Sequence, residues 1–399
     1  MREREDLNEY KALNLVDSSL SGLKKKGNFE YAEELYNPSN VFSEVHHISL
    51  FPEDRGIKFK NESIKLHVLR SIFWKVPLLN YIINAPLFLY QILKICKKHK
   101  INIIRGRGPH RGSFLGLIVS RLLHIPFIVS LGGDYRLAQE LEKRYYVLNN
   151  RLLSFKIEEF VLRGADLVFC PNQFTRHYVI RLGVDPSKIK IIPIRLSRNI
   201  FDFSVPSQNI LEEAGVDKKK PVVLFVGRFE KDKQVDVLIE TIPLILKEKD
   251  NVQFVFIGNG SLMAPLKKRT MELQINSSVW FLGYQDTDVI KYCLKISSVV
   301  WIPMSGFVVF EAAAAAKPIV SFNVEWHSEF IRNEETGLLI ENRNIKECAK
   351  AVLKVLNDKK LAQTLGENAK AELHRNYNPY DIAKKEIEVY KIFVEKIPK

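Results

Sequence analysis

An α/β architecture built on two open parallel sheets is what the amino-acid sequence predicts, and two observations carry the prediction. Short apolar runs alternate with longer amphipathic ones along the whole chain, the pattern left by strands and crossover helices. The runs also fall into two sets of about five, separated by a polar stretch from Arg198 to Lys220 that holds Pro206, Gly215 and three consecutive lysines. A chain of 399 residues with 46% hydrophobic and 27% charged residues has room for two or three domains and excludes disorder or fibrous structure.

The first set of strands comprises Val45–Leu50, Ile101–Ile104, Phe127–Ser130, Leu167–Cys170 and Ile189–Ile192. The second comprises Pro221–Val226, Val252–Ile257, Val279–Leu282, Val299–Ile302 and Pro318–Phe322. Expected boundaries are therefore a first domain over 1–197, a linker over 198–220 and a second domain over 221–378. A helix over 379–399, opened by Pro379-Tyr380 and patterned by Ile382, Ile387, Tyr390 and Phe393, is expected to pack back on the first domain. The segment Val76 to Leu93 lacks charge but contains Pro77, Asn80, Asn84, Pro86 and Gln91. Those residues disfavour a membrane span and leave two readings, a helix packed on the first sheet or an interfacial helix.

Charge is unevenly placed. Residues 1–200 carry 32 basic and 19 acidic groups, whereas residues 201–399 carry 28 and 27. Between Glu62 and Asp134 there is no acid, while Lys65, Arg70, Lys94, Lys97, Lys98, Arg105, Arg107 and Arg111 are basic. An anionic partner is expected for that half, with an anionic membrane surface preferred, because the window shows neither zinc spacing nor an RNA-binding aromatic pattern and no nucleic acid is expected. Four cysteines without a CxxC pair, and a charged amino terminus, point to a cytoplasmic protein, peripheral at most on the inner membrane face.

The chemistry-bearing motifs lie in the second half. A strand ending at Val226 runs into Gly227-Arg228, with Lys233 five residues further on, which sets a planar fork and a mobile point charge where ligands of open α/β sheets bind. Ile257-Gly258-Asn259-Gly260 is a second strand-to-glycine turn. A third, Pro303-Met304-Ser305-Gly306-Phe307, leads into a helix carrying Glu311 and five alanines. A carboxylate one turn into that helix suits a pair of sugar hydroxyls better than a phosphate.

In this order the pieces resemble the GT-B glycosyltransferases of family 4, over about residues 100 to 399. Gly227-Arg228 with Lys233, the Gly258 turn, Phe281-Leu282-Gly283-Tyr284, Glu311-Ala312, Lys317-Pro318-Ile319-Val320 and Thr336-Gly337-Leu338-Leu339 all match the family's second domain. The resemblance implies two Rossmann-like domains facing across a cleft. It implies a UDP- or GDP-sugar donor as co-substrate without a metal, and a saccharide or lipid-linked saccharide acceptor. It also implies transfer to a hydroxyl with retained configuration, in cell-surface polysaccharide or glycolipid synthesis. By the same resemblance Arg228 and Lys233 neutralise the donor diphosphate and Glu311 holds the ribose. Ser305, Gly306 and Phe307 lend donors to the sugar or phosphate, the backbone near Tyr284 meets the base, and Gly227 and Gly258 shape the turns.

The sequence departs from that pattern in three places. Pro303 stands eight residues before Glu311 where the family has its first glutamate. Leu131 stands where a histidine is frequent, leaving Asp134 or His110 as nearby candidates, and Ser21-Gly22 is the nearest match to a glycine-rich loop after the first strand. Asp286-Thr287-Asp288 is read as a helix cap rather than a metal motif. Gly106 to Gly112 is read equally as a structural turn and as an arginine-rich site for a phosphorylated acceptor. His46-His47, adjacent on a strand, point to opposite faces and give no metal pair. A GT-B nucleotide-sugar epimerase, a non-catalytic relative and a basic nucleic-acid-binding protein are the alternative readings.

Overall fold

The computed structural model describes residues 7–25, 29–72, 77–137, 151–204, 209–304 and 306–395. The chain divides into two compact units, one of Met1–Arg195 with Pro379–Lys399 and one of Leu196–Asn378. Each is built on a parallel sheet.

The first unit has seven strands: β1 (Lys11–Val16), β2 (Glu44–Ser49), β3 (Ile64–Val68), β4 (Ile103–Arg107), β5 (Phe127–Ser130), β6 (Leu167–Cys170) and β7 (Ile189–Ile191). They lie in the order β3-β2-β1-β4-β5-β6-β7, so strand order reverses between β1 and β4. Its labelled helices are α1 (Leu20–Lys25), α2 (Phe29–Tyr36), α3 (Pro77–His99), α4 (Arg111–Leu123), α5 (Arg151–Gly164) and α6 (Gln173–Arg181). A parallel sheet must be covered on both faces, because its strands are apolar on both. On one face Leu13, Ile48, Ile104 and Phe127 pack with Phe88, Ile92 and Cys96 of α3 and with α4, α5 and α6. Those three α3 residues recur every four positions, which settles the second half of the uncharged segment as a packed helix. Among the described residues no helix is long and apolar enough to cross a membrane.

On the other face Ala12, Val45, Ile128 and Phe169 meet α1, α2 and the carboxyl-terminal helix, Pro379–Val394. Tyr390 is fully buried there, its ring 5.3 Å from those of both Phe42 and Phe169. Its hydroxyl donates to Glu386 (3.0 Å), which also stands 3.6 Å from Arg105 and 3.8 Å from Arg195. The terminal helix therefore brings both an apolar anchor and an acid to an arginine-rich end of the first sheet.

The second unit has β8 (Val222–Val226), β9 (Gln253–Ile257), β10 (Val279–Gly283), β11 (Val299–Ile302), β12 (Ile319–Phe322) and β13 (Leu338–Ile340), in the order β10-β9-β8-β11-β12-β13. Order reverses between β8 and β11. Its helices are α7 (Ile210–Glu213), α8 (Val235–Glu248), α9 (Met263–Glu272), α10 (Thr287–Ile296), α11 (Val308–Ala314), α12 (His327–Phe330), α13 (Ile345–Asn357) and α14 (Lys359–Asn376). Val223, Phe225, Phe254, Phe256 and Trp301 form the core with α8 and α13, and the indole N–H of Trp301 donates to Cys348 Sγ at 3.0 Å.

Sheets of seven and six strands exceed the two sets of about five read from the sequence. β1, β3 and β13 are the additions. The polar stretch expected as linker carries a helical turn over Arg198–Phe201 and α7, with Leu211 buried and the carbonyls of Asn199 and Asp202 each accepting from Lys291 Nζ at 2.6 Å. β4 begins two residues later than expected, so Arg105, Gly106 and Arg107 are strand residues rather than a turn. Gly106 is required by packing, since a Cβ there would lie 2.2 Å from Ser113 Oγ of α4.

Candidate active site

Ligands of open α/β sheets bind beyond the carboxyl ends of the strands where strand order reverses. In the second unit that place is framed by the turns after β8, β9 and β11. Backbone bonds draw the turns together: Gly227 N–H donates to Ile257 O (2.9 Å), Phe229 N–H to Asn259 O (3.0 Å) and Gly258 N–H to Gly283 O (2.8 Å). Gly258 has φ of +140°, and a Cβ there would lie 1.8 Å from the carbonyl oxygen of Gly227. A Cβ on Gly260 would come within 2.4 Å of Phe229 O. The G-x-G turn is thus explained by close approach of one turn to the next.

Arg228 and Lys233 converge on one carboxylate. Arg228 Nη2 lies 2.9 Å and Lys233 Nζ 3.7 Å from Oδ2 of Asp232, which is almost wholly buried while Arg228 is about two-fifths exposed. The three groups together carry one positive charge. Opposite unit charges 4 Å apart interact by about 4 kcal/mol at an effective dielectric constant near 20, so Asp232 holds the two cations in place while leaving an excess for an anion. Gln234, at φ of +49°, starts α8 and donates from Nε2 to Met304 Sδ at 3.1 Å, joining the β8 turn to the β11 turn.

Glu311 lies in the first turn of α11, half-buried, and burial raises its carboxyl above the usual range with Lys291 opposing. The alanine run does not extend that helix: α11 is seven residues long, and Ala316 turns out of it at φ of +53° with Lys317 N–H donating to Ala312 O (2.9 Å). At the start of α11 the N–H groups of Val309, Phe310 and Glu311 are taken by Gly306 and Phe307 carbonyls. Gly306 has no atom within 4 Å of where a Cβ would stand, and Phe307 is exposed. Ser305 lies outside the described residues. Tyr284 follows Gly283 (φ +69°) and is 79% exposed beyond the end of β10. Asp286 caps α10 by accepting from Val289 N–H at 2.9 Å, which gives that D-x-D a structural role.

The remaining candidates belong to the first unit. Gly22 sits inside α1 with only Ser19 near its missing Cβ, at 3.8 Å. The first N–H groups of α1 are occupied by Asp54, which accepts from Leu20 N–H (3.0 Å) and Ser21 N–H (2.9 Å). A carboxylate already stands where a phosphate would bind. Asp17 likewise accepts from Gly112 N–H at 2.9 Å at the start of α4. His110 precedes α4 with its ring edge-on to Tyr135 (4.7 Å), and burial lowers its pKa. Asp134 accepts from Leu137 N–H (3.0 Å) and lies 3.9 Å from Arg181, with burial raising its pKa. His110 and Asp134 therefore share one edge of the sheet, beyond β4 and β5.

Beside them is a recess of ≈ 110 Å³ lined by Asn14, Tyr31, Arg105, Arg107, Arg195 and Glu386 among others. Among the described residues, Arg195 Nε and Asn14 Oδ1, both buried, meet no hydrogen-bond partner. Sequence reasoning missed Arg195 and Glu386, which come from the two separate chain segments that build the first unit, and Asp232, which stands between Arg228 and Lys233 in the sequence.

It also missed His327. This fully buried imidazole contacts Ser321 Oγ (2.7 Å) and Phe322 O (3.0 Å) through Nδ1, leaves Nε2 without a partner among the described residues, and has its pKa lowered to about 4, first by burial and further by Lys233. The folded protein keeps His327 neutral while the unfolded chain protonates it near 6.5. Its contribution is therefore absent above pH 6.5, grows unfavourable as pH falls toward 4, and totals on the order of 3 kcal/mol. Urea unfolding of His327→Gln should show a flatter loss of stability between pH 6.5 and 4 than the parent protein; equal slopes would contradict this assignment.

Comparison with known proteins agrees with this geometry. Residues 206–372 match the sequence profile described as glycosyl transferases group 1, and residues 43–194 match that of glycosyltransferase family 4. An uncharacterized glycosyltransferase of Methanocaldococcus jannaschii is 32% identical over 215 residues, covering 52% of this chain and 55% of that protein. The poly(ribitol-phosphate) alpha-N-acetylglucosaminyltransferase of Staphylococcus aureus is 28% identical, covering 48% of this chain and 39% of its own length. The chain thus spans about half or less of these two curated relatives. Anabaena HepE, solved in complex with UDP, superposes with a TM-score of 0.73 at 17% identity, over 96% of this chain and 100% of that one. With two parallel sheets of this topology, and matches to both profiles that between them reach into each unit, the chain belongs to the GT-B glycosyltransferases of group 1 and family 4.

Proposed function

We propose that the protein transfers a glycosyl unit from a UDP- or GDP-sugar to a hydroxyl of a saccharide or lipid-linked saccharide, with retention of configuration. The observation that carries this reading is the convergence of Arg228 and Lys233 on Asp232 at the strand-order reversal of the second unit. A diphosphate bound there gains negative charge as the bond from C1 to its oxygen breaks, and fixed cations stabilise that charge without reorganising. The acceptor hydroxyl attacks C1 on the face the diphosphate leaves, and its proton passes to the departing phosphate oxygen. Glu311 accepts from the ribose hydroxyls, and the exposed backbone at Tyr284 meets the base. Charge stabilisation by this chain's own residues supplies the catalysis, so no metal is assigned to the donor site.

An anionic acceptor fits the first unit. Arg105, Arg107 and Arg195 outnumber Glu386 in its recess, and the S. aureus relative is named for a poly(ribitol-phosphate) acceptor. His110 or Asp134, beyond the neighbouring strand ends, orients the hydroxyl. Synthesis of a cell-surface polysaccharide or glycolipid at the cytoplasmic membrane face is the role this supports.

Isothermal titration with a panel of UDP-, GDP- and ADP-sugars tests the donor site. One donor should bind, and Arg228→Ala and Lys233→Ala should each weaken it by roughly ten- to a hundredfold, the scale for losing one hydrogen bond to a charged group. Binding to none of the panel, or binding unchanged in both variants, would contradict the reading. The membrane surface has a separate test. Lys94, Lys97, Lys98 and Lys100 are exposed at the end of α3, and each lysine near an anionic surface contributes about 1 kcal/mol. Replacing Lys94, Lys97 and Lys98 by glutamate should abolish flotation with phosphatidylglycerol vesicles, and undiminished flotation would remove the membrane from the account.

A further inference from the structure

Three histidines far apart in sequence meet at the edge of the first unit. His46 lies on β2, His67 on β3, and His99 ends α3, and each offers a ring nitrogen within 4.8 Å of the other two. The register explains the meeting: His67 pairs with Ile48, two residues beyond His46, so both imidazoles stand on the sheet face that α3 covers. Since α3 leads into the start of β4, the cluster lies toward the amino ends of the strands, at the opposite edge from His110 and Asp134. His47, the other half of the adjacent pair, points to the far face and stacks on Tyr36 at 4.4 Å.

We propose that His46, His67 and His99 bind a divalent transition ion of the zinc class, which clamps the end of α3 to β2 and β3. The hydrogen bonding already prepares the site. His46 Nε2 lies 3.2 Å from Glu44 Oε2, so its N–H donates to the carboxylate and the Nδ1 lone pair is aimed at the cluster, 2.9 Å from His67 Nε2. A metal-binding histidine that gives its other N–H to a carboxylate is a recurrent arrangement, because it fixes the tautomer and raises ligand basicity. Glu44 is itself held by Lys11 at 2.9 Å. In the ion-free protein His67 Nε2–H donates to His46 Nδ1; on binding, His67 carries its proton on Nδ1 instead and both nitrogens face the ion.

Metal–nitrogen bonds of about 2.0–2.1 Å at tetrahedral angles require nitrogens about 3.3 Å apart, a few tenths of an ångström from the observed pair. A metal binds the neutral form of imidazole, and the three rings stand away from bulk water, His46 buried and His67 and His99 partly so. Three imidazoles without a thiolate suit zinc, cobalt, nickel or copper rather than magnesium or calcium. The site is separate from the donor diphosphate, where no ion is assigned.

The test uses the full chain stripped of metal by a chelator. Titration with Zn²⁺ should give one site per chain, and Co²⁺ should give the intense visible absorption of a tetrahedral ion. His67→Gln and His99→Gln, both at partly exposed positions, should each weaken Zn²⁺ at least tenfold with an unchanged circular dichroism spectrum. Glu44→Gln should weaken it by roughly 10- to 100-fold. Zn²⁺ should also raise the thermal midpoint of the parent protein and not of the histidine variants. Absence of a stoichiometric site, or the same affinity in both histidine variants as in the parent, would overturn the proposal.

Discussion

The buried carboxylate of Asp232 sets where positive charge stands in the second unit. Arg228 and Lys233 would repel one another if left to themselves, and long side chains free in solvent would spread. Contacts of 2.9 Å and 3.7 Å to a single oxygen keep them on the same side of the turn after β8. A carboxylate so deeply buried requires its partners, so the three groups stay together or the turn rearranges. The position of the turn depends in its own right on Gly258, since any side chain there would collide with the carbonyl of Gly227. One steric constraint and one electrostatic one therefore fix the cations at the strand-order reversal before any ligand arrives.

The first unit handles its larger positive charge differently. Arg105 also donates to Tyr36 O (2.8 Å) and its guanidinium lies 5.2 Å above the Tyr390 ring, while Arg195 donates to Glu34 O (2.6 Å). Glu386 supplies one negative charge between them. Because that acid and Tyr390 both belong to the carboxyl-terminal helix, the helix that completes the core of the unit also tempers the arginines of its recess. The acid-free window seen in the sequence thus divides in the structure. Arg105 and Arg107 face the recess, the lysines at the end of α3 face solvent, and the histidines form a cluster of their own.

The strands with continuous apolar runs were legible because burial on both faces leaves an unbroken signature, as in Val222–Val226. β1 escaped since Lys11 and Asn14 interrupt its run, although Asn14 is buried and donates to Tyr36 O. β3 is an edge strand with Lys65 and His67, and β13 has only three residues, so neither shows a period. The Asp286 cap was legible because its partner, Val289, is three residues away, whereas the Gly258 turn owes its glycine to Gly227, which the fold alone brings beside it. The alanine run was read as a longer helix than it forms, since propensity does not foresee a close approach such as that of Gly366, whose missing Cβ would lie 2.1 Å from Ala316 O. Glu386 and the His46–His67–His99 cluster were invisible for one reason. Each acquires its meaning from residues that only the topology brings near, and no spacing along the chain encodes such a meeting.

The role proposed for the Arg228–Lys233 pair is to receive the diphosphate of a sugar nucleotide. A crystal structure with UDP or GDP bound tests it most directly. Phosphate oxygens should lie within hydrogen-bonding distance of both side chains, with Glu311 on the ribose hydroxyls. A nucleotide held elsewhere, with no phosphate oxygen near Arg228 or Lys233, would contradict it.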